Sequence, residues 1–160
     1  MRTIEKQAIA LSVATLVADQ ISKQVVLAYL QKSGPVVQVI DEFFRLVIVW
    51  NRGVSFGMLG GDRSLPPWLL SGAAVLVCVG LFVWLRRATG KFTGWGIGLV
   101  MGGAIGNVID RARWGAVFDF VDFYVGQWHW PAFNIADSAI VIGVGLLLLD
   151  SLLGERKAAS

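Results

Sequence analysis

Apolar residues along the chain gather into long runs, each near the roughly 20 residues that a helix needs to cross a bilayer. Leu65 to Leu85 carries no charge, and neither does Phe92 to Ile109. Ser138 to Leu149 is also uncharged and extends back through Asp137 to about Pro131. Ala8 to Ala18 is apolar, meets Asp19 and Lys23, and resumes from Val25 to Leu30. The pattern predicts four spanning helices over residues 8–30, 66–85, 93–112 and 131–153, with longer connections at 31–65 and 113–130.

Within 31–65 the pattern changes. Val36–Ile40 and Phe43–Trp50 are rich in β-branched and aromatic residues, and Pro35 and Asp41-Glu42 bound them. Gly53, Gly57 and Gly60-Gly61 follow. A few short strands are predicted there, forming a platform outside the membrane between helices 1 and 2. The expected fold is thus a membrane all-α protein, a four-helix bundle with a small extracytoplasmic β-platform, as a single domain over residues 1–160.

Composition agrees. Of 160 residues, 56% are hydrophobic and 16% charged, where soluble domains carry about a quarter charged residues. The mean hydropathy is +0.66. This excludes a disordered chain and an ordinary water-soluble globule. The net charge of +3 has no basic cluster interleaved with aromatics, so it points to membrane topology and not to nucleic acid.

Four spans place both termini on one side, with Arg2, Lys6, Arg86, Arg87, Lys91, Arg156 and Lys157. Lys32, Arg45, Arg52, Arg63, Arg111 and Arg113 lie on the other side. The density of charge in the short 86–91 loop favours cytoplasmic termini. Trp68, Trp114, Trp128 and Trp130 would then mark the outer interface, and Trp84 and Trp95 the inner one. Arg2 and Lys6 ahead of an apolar stretch resemble a signal peptide. No small-residue cleavage site follows, so a retained first helix is expected.

Gly94, Gly98, Gly102 and Gly106 recur every four residues in helix 3. This spacing lets a neighbouring helix approach closely, either within the bundle or across a dimer seam, and packing within the bundle is preferred. Cys78 sits in the middle of the most apolar run and reads as a buried, inert thiol.

Charged groups inside apolar spans are costly and become functional candidates by default. Asp19 and Lys23, four apart, share a helix face and can pair, as a structural tie or a substrate-facing pair. Asn107 and Asp110, with Arg111 next, either form a polar helix end or shape a polar site. Asp119 lies among apolar neighbours in Val117-Phe118-Asp119-Phe120-Val121, with Asp122 as its competitor. Asn134 suits a helix start after Pro131. Asp137 is expected about two turns into the span, where capping explains it poorly.

The helix 3–4 connection returns the chain to the same membrane face, so Asp119 and Asp137 can meet near the outer interface. Two carboxylates about 3 Å apart share one proton. One then acts as base on a water while the other, protonated, polarises a carbonyl. This chemistry needs no cofactor and no metal. His129 is the only histidine and is expected to be solvated or interfacial between Trp128 and Trp130. No zinc-protease helix motif, phosphate-binding loop or dinucleotide fingerprint is present, and Ser22 and Lys23, adjacent on a helix, point in different directions. A proton-coupled carrier would use Asp19, Lys23, Asp110 and Asp137 as a relay, but no internal repeat is evident. A membrane scaffold would leave the outward polar cluster unexplained.

The chain resembles the bacterial lipoprotein signal peptidases (signal peptidase II) over essentially its whole length. The resemblance is carried by Asp19-Gln20-Ile21-Ser22-Lys23 and Asn51-Arg52-Gly53-Val54-Ser55-Phe56-Gly57. It continues through Gly102 to Arg111, Val117-Phe118-Asp119-Phe120, and Pro131 to Ser138. It implies an aspartic endopeptidase with Asp119 and Asp137 catalytic. Asn51, Asn107, Asp110, Arg111 and Asn134 would support them, and Asp19 and Lys23 would form a more structural pair. The implied substrates are prolipoproteins carrying diacylglycerol on a cysteine, cut just before that cysteine, with inhibition by globomycin-type cyclic peptides. It further implies a multi-pass protein of the bacterial cytoplasmic (inner) membrane, in contact with its lipids. The lipid-anchored cysteine would hold the scissile bond at the outer surface, with Asn51 and Arg52 steadying the chain and Arg111 contacting a carbonyl. One bundle suffices to build such a site, so a monomer is expected.

Overall fold

A computed structural model describes residues 1–53 and 65–158, with side chains described to Leu153. Val54 to Gly57 of the second family block, Gly60-Gly61, Arg63 and the side chains of Arg156 and Lys157 lie outside this description. The element order is α1 (Thr3–Ser33), β1 (Val36–Ile40), β2 (Phe44–Asn51), α2 (Pro67–Leu85), α3 (Lys91–Trp114), β3 (Val117–Val125), β4 (Trp128–His129) and α4 (Ile135–Ala158). Among the described residues, four helices are long and apolar enough to cross a membrane.

Helix α1 begins five residues earlier than predicted because polar residues cap it. The Arg2 backbone N–H donates to Glu5 at 3.1 Å. The Arg2 guanidinium reaches across to the carbonyls of Leu85 and Ala88 at 2.8 and 2.9 Å, satisfying orphan groups at the end of α2. At its other end α1 stops at Gly34, whose φ of 110° suits glycine.

Helix α3 is the central element and packs against α1, α2 and α4. Its glycines explain how. Gly94, Gly98, Gly102 and Gly106 meet Ile4, Ala8, Ser12 and Asp19 of α1. Gly96 and Gly103 meet the backbone of Gly143 and Ala136 in α4. The four-residue glycine repeat is therefore a seam inside the bundle, and α1 occupies the face that a dimer would have used. A methyl at Gly102 would lie 2.5 Å from the Ser12 carbonyl oxygen, which is backbone and cannot swing aside. Gly102→Leu is accordingly expected to destabilise the protein by about 1–3 kcal/mol or more, read as a lower thermal unfolding midpoint in detergent.

The four strands form one antiparallel sheet in the order β1-β2-β3-β4. The predicted strands of 31–65 are present, but the platform is not confined to the connection between helices 1 and 2. Its strand β3 comes from the α3–α4 connection, which the sequence pattern left as a plain segment. Asp119 and Asp122 interrupt the apolar alternation of β3 and hide it. In β2–β3, Arg45 pairs with Asp122 and Val49 with Asp119, and the register shifts in between. Arg45 and Val49 are four apart and share a face, so the shift puts both aspartates on that face despite their odd spacing. The opposite face packs Phe118, Phe120, Leu46 and Ile48 onto Leu30, Val26 and Leu27 of α1, which anchors the sheet to one end of the bundle.

Helix α4 starts at Ile135, not near Pro131. Phe133 is held in a bridge to Val121, and its carbonyl accepts the N–H groups of Phe120 and Val121 at 3.1 and 2.9 Å. Residues 131–134 thus extend along β3 before the helix begins. Asp137 consequently stands in the first turn, not two turns deep.

Candidate active site

Two carboxylates from different elements converge where the sheet meets the bundle. Asp119 is supplied by β3 and Asp137 by the first turn of α4. Asn134 touches both. Its side-chain amide donates to Asp119 Oδ1 at 2.7 Å and its backbone N–H to Asp137 Oδ2 at 3.3 Å. Asn134 Oδ1 in turn accepts the Asp137 N–H at 2.9 Å. This is a reciprocal cap of α4, so capping accounts for the position of both residues. It also fixes the two carboxylates relative to each other. Each aspartate has a further amide of its own: Asn51 Nδ2 lies 3.0 Å from Asp119 Oδ2, and Asn107 Nδ2 lies 2.8 Å from Asp137 Oδ1.

Asp119 is 1% exposed. Burial pushes its pKa up from 3.8 to about 6; the Asn51 amide opposes this, the Asp137 charge adds to it and the Asn134 amide opposes it. The carboxyl is thus protonated below about pH 6 and ionised above. Because the folded value exceeds the ordinary one, ionising Asp119 works against the fold. Its contribution to stability is greatest below the ordinary value and declines as pH rises through about 6. Difference infrared titration is expected to show a protonated-carboxyl band that disappears around pH 6 and is absent from Asp119→Asn.

Beneath the pair lies an ionic cluster with no solvent exposure. Lys23 Nζ is 2.9 Å from Asp19 Oδ2 and 2.7 Å from Asp110 Oδ2, all three side chains fully buried. Lys23 also donates to Asn107 Oδ1 at 3.3 Å. Asp19 and Lys23 therefore pair as their spacing suggested, inside the protein, and Asp110 and Asn107 join them. Gln20, not singled out from the sequence as a site residue, donates to Asp110 Oδ1 at 3.0 Å. Arg111 Nη1 reaches the Asn107 carbonyl at 3.5 Å. Its buried Nε has no hydrogen-bond partner among the described residues, and the charges of Asp137, Asp119 and Asp110 act on its guanidinium.

Asp122 is not part of the pair. It bonds Arg45 Nε at 2.6 Å and lies 3.2 Å from His129 Nδ1. His129 stacks on Tyr124 with ring centroids 5.3 Å apart, so this exposed ring also belongs to a side-chain cluster on the sheet. Two open cavities flank the segment Trp130-Pro131-Ala132. One, of about 590 Å³, is apolar and runs from Asp137 along Ser138, Val141 and Ile142 of α4. The other, of about 480 Å³, is lined by Arg45, Asp122 and His129. Cys78 is a free, buried thiol on α2. Among the described residues no group of three His, Cys, Asp or Glu is arranged to hold a metal ion.

Known proteins share this architecture and much of this sequence. The family model described as signal peptidase (SPase) II matches residues 11–153. The lipoprotein signal peptidase of Methylobacterium sp. (strain 4-46) is 44% identical over 93% of this chain and 90% of its own length. That of Caulobacter vibrioides is 45% identical over 96% of this chain and 90% of its own. Two solved structures described as bacterial membrane enzymes superpose with a TM-score of 0.77 each. They are 26% and 30% identical and cover 97% and 92% of this chain, and 92% and 93% of theirs. These likenesses and the four apolar helices make it a multi-pass membrane protein. With the match running from α1 to the far part of α4, the chain belongs to the signal peptidase II family.

Proposed function

We propose that this protein is a membrane aspartic endopeptidase. It removes the signal peptide from diacylglyceryl-modified prolipoproteins by cutting just before the lipid-modified cysteine. The observation that carries the reading is Asn134 holding Asp119 and Asp137 together at the junction of sheet and bundle. The relatives' name, lipoprotein signal peptidase, supplies the substrate class.

The chemistry follows from the pair. Asp119, whose burial raises its pKa to about 6, is the carboxyl placed to carry the proton. With the proton on Asp119, its O–H polarises the scissile carbonyl. Asp137 takes a proton from a water, whose oxygen adds to the carbonyl carbon as the Asp119 proton passes to the carbonyl oxygen, giving a tetrahedral diol intermediate. The C–N bond then breaks as the proton from Asp137 passes to the departing cysteine nitrogen, while the intermediate returns its proton to Asp119. Asn51 and Asn107 orient one carboxylate each. In this reading the Arg111 guanidinium, beside the pair, contacts a substrate carbonyl.

The site fits a substrate that stays in the bilayer. The apolar cavity beside Asp137 descends α4, next to where lipid tails and a signal helix would run. In this reading both termini are cytoplasmic and the sheet and site face outward from the bacterial inner membrane. The protein acts as a monomer, and globomycin-type peptides occupy the pair. Purified protein in lipid or detergent is expected to cut a diacylglyceryl-prolipoprotein to a lipid-modified N-terminal cysteine. The same precursor without diacylglycerol should remain intact. Failure to process the modified precursor would overturn the proposal.

A further inference from the structure

The buried ionic cluster reaches both aspartates through the main chain, at the same relative position. Asp110 Oδ2 accepts the backbone N–H of Phe118, the residue before Asp119, at 3.2 Å. Asp19 Oδ1 accepts the backbone N–H of Ala136, the residue before Asp137, at 3.0 Å. Phe120 N–H points to the Phe133 carbonyl, away from β2, and strand alternation sends Phe118 N–H, two residues earlier, the same way. Ala136 N–H is one of the orphan donors in the first turn of α4. Both are taken up by carboxylates from other helices, and the same ammonium joins those carboxylates, with Lys23 Nζ at 2.9 Å from Asp19 and 2.7 Å from Asp110.

We infer that Lys23, with Asp19 and Asp110, is a positioning device that sets the separation of the two catalytic aspartates. A chain of contacts runs Asp119, Phe118 N–H, Asp110, Lys23, Asp19, Ala136 N–H, Asp137. It is a second route beside the direct tie through Asn134, and the two meet at Asn107 Oδ1, which accepts from both Lys23 and Asn134. Lys23 also holds Asn107 Oδ1 at 3.3 Å, and the Asn107 amide donates to Asp137. None of Lys23, Asp19 and Asp110 is exposed, so the three touch no substrate and act only through the aspartates.

The inference rests on the aspartate-pair reading and is tested with Asp19→Asn and Asp110→Asn. Each change is isosteric and takes the cluster from two carboxylates to one, so the Lys23 ammonium keeps a buried counter-charge. Displacing a reacting group by about 1 Å costs on the order of a hundredfold in rate. The expected result is therefore a kcat lower by about a hundredfold in each variant, with KM within about threefold of the parent. A purely structural tie would instead lower the amount or thermal midpoint of folded enzyme and leave kcat per folded molecule unchanged. That outcome overturns the inference. Should the variants not fold, amide exchange on the unaltered enzyme decides. The Phe118 and Ala136 amides should be protected as strongly as those inside α3, and exchange at loop rates overturns the inference. The two possible failures are distinguishable. Normal processing by Asp119→Asn and Asp137→Asn would remove the aspartate pair itself. Loss in those variants, with full kcat in Asp19→Asn and Asp110→Asn, would remove only the positioning device.

Discussion

Asp119→Asn and Asp137→Asn are each expected to lower the turnover of a lipid-modified precursor on the order of 10⁴-fold, the upper range for removing general acid–base chemistry. An asparagine keeps the shape of the side chain and one acceptor oxygen. Asn134 can still donate to position 119, and Asn107 to position 137, so the folded structure should persist. What is lost is the group that carries or takes a proton. The double variant should be little worse than either single one, because the two residues act as a unit. Precursor processing followed by gel shift gives the rate, and thermal unfolding of the same samples gives the fold. Near-normal turnover in either folded variant would contradict the assignment.

Lys23→Met should have the largest effect on stability. The ammonium has no solvent exposure and faces two fully buried carboxylates. Its removal strands their charge, which costs about 3–5 kcal/mol when one partner of a buried pair is deleted. The Coulombic attraction lost is only part of that; the rest is desolvation that nothing now offsets. The same substitution made together with Asp19→Asn and Asp110→Asn removes the stranded charge and should recover most of the stability. Thermal midpoints in detergent, compared among parent, single and triple variants, test this. A single variant as stable as the parent would show that the cluster is not electrostatically closed as the distances imply.

The spanning helices were legible in the chain because burial in a bilayer demands uninterrupted apolar length, and that property is local. The four-residue glycine repeat of α3 was equally legible, since helical periodicity alone places Gly94, Gly98, Gly102 and Gly106 on one stripe. Helix ends were less so. Arg2 starts α1 by reaching residues more than 80 positions away in the chain. The start of α4 is delayed because Phe133 pairs with Val121. Both boundaries depend on partners that no local window contains.

The candidate site divides in the same way. Asp19, Lys23, Asn107, Asp110, Asp119, Asn134 and Asp137 stood out because charge and amide groups in an apolar chain require a reason, and the spacing of Asp19 and Lys23 already implied a pair. Their wider arrangement did not follow. Strand β3 was hidden, since two aspartates break its alternation and only pairing with β2 restores it. His129 found Asp122 across a turn, a contact invisible to composition. Asn134 bridges residues on either side of it, and Lys23 joins a second carboxylate from another helix. Asp19 meets Ala136 across 117 residues of chain. Which polar groups the membrane would not tolerate alone is a matter of transfer free energy, residue by residue. Which of them satisfy one another is settled by how the helices and the sheet pack, because hydrogen bonds of about 3 Å demand a geometry that only the assembled fold supplies.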